Sequence, residues 1–207
     1  MEAPVQPDPF LRAENPRKIL LPLCYFAPVF HFLYIRDHKD VLVDASENFS
    51  WQTFRSRCLI AGPNGVQQLS VPVKHAGGKK IPYKEVRISY DEPWVRVHTR
   101  ALETAYGKAP YFPYFREELF DILLKRHDLL FDLNLGLMNA LLRQAGLERE
   151  LTFTEKYIDD AHGLIDLRLK HEPLMIRYPQ VFEDRHGFIP DLSILDYLFN
   201  AGPFPNI

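Results

Sequence analysis

Tyr178-Pro179-Gln180-Val181-Phe182, followed by Gly187-Phe188-Ile189-Pro190-Asp191-Leu192-Ser193-Ile194-Leu195-Asp196-Tyr197-Leu198-Phe199-Asn200-Ala201-Gly202-Pro203, reads as a strand, a turn and a fully specified helix. Ser193 is a good N-cap, and Asp196, three positions on, makes a capping-box-like pair with it. Asp191 competes as a cap. Ile194, Leu195, Leu198 and Phe199 form the apolar stripe, and Gly202 with Pro203 stops the helix. Ahead of this cassette, strands come first and helices second. The apolar run 19–25 predicts a buried strand, and 29–35 a helix entered through Pro28. Residues 41–44 predict a short strand ending on the Asp44 carboxylate. Residues 57–61 and 68–73 predict a hairpin around Gly62-Pro63-Asn64-Gly65, where Asn-Gly signals a type I′ turn. Residues 86–90 predict one more strand. Helical periodicity then takes over after Pro93, through 110–126, and through 129–145 before Gly146. A strand is expected at 151–154, and 156–177 is mixed. This order predicts an α+β fold: a mixed sheet built from the N-terminal half, a helical C-terminal half, and a single domain over 18–207 behind a loose arm of residues 1–17.

Composition narrows the function classes. The chain has 207 residues, a formal net charge of -2 and 46% hydrophobic residues, enough for one substantial core and without the positive field that would draw nucleic acid. No apolar run is long enough to span a bilayer, and the first eighteen residues lack a signal-peptide core, so a cytoplasmic protein is expected. Cys24 and Cys58 are too few for a disulfide framework and read as buried thiols. His162, His171 and His186 with Asp159-Asp160 match no standard metal spacing, so no metal is expected, and no cofactor is specified. GxSxG, Walker and GxGxxG motifs are absent, which disfavours serine hydrolase, ATPase and dinucleotide chemistry.

Several side chains carry candidate chemistry. Arg55 and Arg57 share a face if both lie on a strand, and two guanidinium forks suit a carboxylate or phosphate; the alternative is an ion pair with Asp44 or Glu47. Lys74 follows the next strand and approaches the same region. His98 lies on the apolar face of its predicted helix, as a general base with Asp44 orienting it or as a hydrogen-bonded core residue. Tyr106 and Tyr111 stand out in an aromatic-rich stretch, as sugar-stacking walls or as core. Gln180 and Asp191 are the members of the closing cassette that capping and core packing leave least explained. The basic stretch 74–80 reads as a solvated loop rather than a phosphate-binding loop.

Four stretches in one order resemble the WbqC-like family. They are the closing cassette; Tyr25-Phe26-Ala27-Pro28-Val29; Gln52-Thr53-Phe54-Arg55-Ser56-Arg57 with Asn64-Gly65 and Leu69-Ser70-Val71-Pro72-Val73; and Trp94, His98, Tyr106 and Ala109-Pro110-Tyr111-Phe112. Trp51 and Ser56 depart from the lysine and asparagine common in that family. The resemblance implies a role in bacterial surface-polysaccharide (O-antigen) biosynthesis, with acyl or aminoacyl transfer to an amino sugar as one suggested activity. On that implication Arg55 and Arg57 hold the anionic part of a donor, His98 takes a proton from the attacking amine, and Tyr106 and Tyr111 line the sugar site. A non-catalytic scaffold for a glycan precursor or a partner enzyme is the alternative, and a thiol hydrolase using Cys24 or Cys58 with His98 is a third. The partner expected is a small anionic or sugar molecule; oligomeric state stays open.

Overall fold

The computed structural model describes residues 18–74, 80–168 and 176–205. The predicted arm 1–17, most of the basic loop and His171 lie outside them. Ile19–Leu21 (β1) is buried at every position, as a strand covered on both faces must be. Val29–Asp37 (α1) follows, then Val41–Val43 (β2), which lies parallel to β1 with Ile19 opposite Val41. Leu151–Phe153 (β5) and Ile165–Asp166 (β6) complete a parallel sheet in the order β5-β2-β1-β6. Two of its strands therefore arrive from the C-terminal half. Arg57–Gly62 (β3) and Gly65–Ser70 (β4) form a separate antiparallel hairpin. With six helices beside these two sheets among the described residues, the fold is α+β.

The hairpin forms, but its second strand runs over 65–70 and not 68–73, and its turn is not type I′. Pro63 sits at the first central position, where its ring holds φ negative and excludes that turn. Gly65 alone takes the positive φ, at 106°. The predicted strand at 86–90 is reduced to single bridges, Val73 with Ile88 and Arg87 with Leu129. Its backbone bonds instead run to both sides, from Ser89 N to Pro72 O and from Ile88 N to Asp128 O.

Trp94–Tyr106 (α2), Phe112–Leu124 (α3) and Leu130–Gln144 (α4) match the helical periodicities, and Gly146 adopts φ 71° just beyond α4. The core they enclose is rich in rings, with Tyr25, Phe26, Phe32, Tyr83, Tyr106 and Phe199 fully buried. No helix among the described residues is long and apolar enough to cross a membrane.

The closing cassette holds distant parts of the chain together. Ile194–Ala201 (α6) is capped by Ser193, whose Oγ accepts from Leu195 N. Ile194 N donates to Ala27 O, Val29 N to Leu192 O, and Ser193 N to Leu59 O in β3. The strand expected at 178–182 is absent, and a short helix, Glu183–His186 (α5), follows directly. Pro179 brings no donor, and the Gln180 side chain does what a ladder would: its Nε2 donates to Ile189 O and its Oε1 accepts from Ile189 N, both at 2.8 Å. Asp196 is not a capping-box partner either; its carboxylate points inward and accepts from Gln180 Nε2 at 2.8 Å.

Gly202 closes α6 at φ 80°, and a Cβ there would lie 2.7 Å from Tyr111 Cζ. Gly202→Ala is therefore expected to cost about 1–3 kcal/mol through backbone strain and ring displacement, read as a lowered thermal midpoint. An unchanged midpoint would mean the Tyr111 ring moves aside freely.

Candidate functional site

All four strands of the main sheet run parallel, so their carboxyl ends gather at one edge. Open sheets of this kind bind ligands there, where neighbouring strands lead the chain to opposite sides. From β1 the chain passes to β2, while β6 flanks β1 on the other side. Outside this point lies a cavity of about 400 Å³. Pro22 and Cys24, which follow β1, and Leu167 and Arg168, which follow β6, line it with Arg57 and Leu59 of β3, Arg55 and Asp191. A second cavity, about 460 Å³, shares Arg55 and Arg168 as a common wall.

Two of the three guanidinium groups are already engaged. Arg55 donates from Nε to Glu47 Oε1 at 2.7 Å and from Nη2 to Glu47 Oε2, and both side chains are buried. Arg55 precedes β3 in a turn, so it does not share a strand face with Arg57; the pair with Glu47 anticipated as the structural alternative is the one that forms. Arg168 is gripped by Asp166, with Nη2 2.7 Å from Oδ2, and by Asp44 through Nη1. Asp166 chiefly, and Asp44 with it, raise the Arg168 pKa above its ordinary value. Arg57 is half-buried in the cavity wall, and its side chain makes no hydrogen bond or ion pair with any described residue.

Asp44 and His98 are not brought together. Asp44, fully buried at the end of β2, accepts from Ser46 N and Thr154 Oγ1 at 3.1 Å besides holding Arg168. His98 sits in the core against Trp94, with Nδ1 2.8 Å from Tyr25 Oη. Burial lowers its pKa to about 4, against the pull of a backbone hydrogen bond to Ser70, so the imidazole is neutral near pH 7. Neither residue lines the cavity.

Tyr106, Tyr111 and Gln180 are also absent from the cavity wall. The Tyr106 hydroxyl accepts from Ala61 N and meets Asp196. Tyr111 stacks on Phe115 and covers Gly202. Lys74 is exposed and lines no part of the cavity. Burial pushes the Cys24 thiol up to about 12 and raises Cys58 as well. Both stay protonated near neutral pH, which removes the basis for a thiol nucleophile.

Arg168 escaped the sequence reading because its strand is two residues long. The alternation Asp166-Leu167-Arg168 was the available signal: an acid and a base flanking one apolar residue at a strand end. Backbone strain is a second mark. Gln52 and Asp191, two of the four non-glycine residues with positive φ among those described, at 60° and 58°, line this one cavity, and such strain gathers where the surrounding structure holds it in place.

Comparison with known proteins places these residues in a family context. The uncharacterised protein Rv1507c of Mycobacterium tuberculosis (strain ATCC 25618 / H37Rv) is 29% identical over 187 residues, covering 74% of this chain and 80% of that relative. No solved structure matches the chain. The WbqC-like protein family profile matches residues 24–170, a stretch that holds Cys24, Asp44, Arg55, Arg57 and Arg168. The chain belongs to the WbqC-like protein family.

Proposed function

We propose that this protein acts in bacterial surface-polysaccharide (O-antigen) assembly by binding a small anionic sugar derivative or acyl donor in the cavity at the carboxyl ends of β1 and β6, and that it transfers an acyl or aminoacyl group to an amino sugar there. The observation that carries the reading is Arg57: a half-buried guanidinium in a cavity wall, without a partner among the described residues. A guanidinium in that state is ready for a carboxylate or phosphate. Arg55 and Arg168 line the same cavity, each already held by carboxylates, so that part of the wall is fixed before a ligand arrives. The volume suits a ligand the size of a monosaccharide.

A binding role without chemistry is the second reading, favoured by the seat of His98 in the core, which leaves the cavity without the general base expected from sequence.

Arg57→Ala tests the common ground of both. Loss of one charge-assisted contact is expected to weaken binding of nucleotide sugars or acyl donors about 10- to 100-fold by calorimetry, with the thermal midpoint within about 2 °C of the parent, since surface-accessible substitutions rarely cost more. A large fall in the midpoint with unchanged affinity would make Arg57 structural and end the reading. Incubation with an acyl donor and an amino sugar, followed by mass spectrometry, separates transfer from binding alone.

A further inference from the structure

Arg57 is not the cavity's only unanswered charge. Of the charged residues that line it, Arg55 is neutralised by Glu47, and Arg168 by Asp44 and Asp166. Arg57 and Asp191 remain. The Asp191 side chain also makes no hydrogen bond or ion pair with any described residue, and the two form no ion pair with each other. Burial alone raises the Asp191 pKa, with no cation acting against it. Beside them, Cys24 is held protonated, Phe30, Phe54 and Leu59 supply apolar wall, and His31 contributes an imidazole.

The carrier backbones are fixed. Asp191 stands at φ 58°, and the next two residues are tied down, Leu192 O accepting from Val29 N and Ser193 N donating to Leu59 O. Arg57 opens β3, paired opposite Ser70. Two opposite charges held apart on rigid supports in one cavity are each costly to desolvate alone. A molecule bearing both complementary charges answers both at once, whereas a simple anion would leave Asp191 facing it.

We infer that the cavity takes a small zwitterion, its carboxylate or phosphate set against Arg57 and its protonated amine set against Asp191. An amino-sugar phosphate and a free amino acid share this chemistry. The inference rests on the reading of Arg57 as the anion holder and adds the second charge to it.

Calorimetry on the full chain tests it with matched probes. Glucosamine 6-phosphate carries both charges, and N-acetylglucosamine 6-phosphate only the anion. L-alanine and N-acetyl-L-alanine form the same pair at amino-acid size. The zwitterion of at least one pair is expected to bind about tenfold more tightly than its acetylated partner, about one charge-assisted contact. Asp191→Asn should erase that preference. Asparagine tolerates the left-handed backbone, so the fold is kept, and an unchanged thermal midpoint confirms that. Equal binding of both members in each pair, with both weakened by Arg57→Ala, would overturn the zwitterion and leave the anion site standing. If no probe binds at millimolar concentration, or Arg57→Ala changes none of the affinities, both readings fall. The pair that shows the preference tells amino sugar from amino acid.

Discussion

Glu47→Ala should destabilise the protein by about 3–5 kcal/mol, because it strands the buried Arg55 guanidinium without its counter-charge. Both side chains are nearly excluded from solvent, at 7% and 4% of their surface. Water therefore screens the intact pair little. Arg55 has few ways to escape, since Asn134 Nδ2 on α4 holds its backbone carbonyl at 2.7 Å and Thr53 is its remaining side-chain partner. The loss is a large share of a typical domain stability of roughly 5–15 kcal/mol. Removing both charges in Glu47→Leu/Arg55→Met should cost less than the single change, which is the signature of a desolvated pair. Urea unfolding of the three proteins measures this. A single-variant cost below about 1 kcal/mol would mean that water screens the pair.

Asp196→Asn should flatten the dependence of stability on pH between about 4 and 6. Asp196 is fully buried, and no cation among the described residues compensates it. Burial raises its carboxyl from 3.8 to about 6, against the opposing effect of hydrogen bonds from Tyr106, Tyr178 and Gln180. The sign follows from proton counting. Between 3.8 and about 6 the folded chain binds this proton while the unfolded chain has released it, so stability falls as pH rises. The contribution is fully present below 3.8 and lost as pH passes through about 6; it amounts to roughly 3 kcal/mol for a shift of about two pH units. Asparagine cannot ionise, so the variant lacks this slope. The difference between the two proteins, measured by denaturant unfolding at pH 4 and pH 7.5, should move by about that amount in favour of the variant at the higher pH. A difference constant across the range would mean the carboxyl is already ionised at pH 4.

The elements that depend on neighbours in sequence were legible. The three long helices, the hairpin and the Ser193 cap follow from periodicity, from Pro and Gly placement and from side-chain oxygen at a helix start. Gln180 was less so. It lies in a segment that reads as a strand, yet its amide bonds Ile189 and Asp196, and no local pattern distinguishes a ladder made by backbone from one made by a side chain. β6 was illegible because two residues carry no period; its pairing with β1 places Arg168 beside the end of β2.

For the candidate site, the sequence by itself determined the chemical inventory: Arg55, Arg57 and Asp191 as charged groups able to meet a ligand, within an α+β chain of the WbqC-like family. Tertiary structure decided which of those charges are spent. Glu47 takes Arg55, and Asp44 and Asp166 take Arg168, while the neutral His98 is seated against Tyr25 in the core; among the described residues Arg57 and Asp191 stay open on one cavity. The reason is that a charge's partner is set by long-range packing, across separations such as the 124 residues between Asp44 and Arg168, whereas a helix or a hairpin turn is set within a few residues of itself.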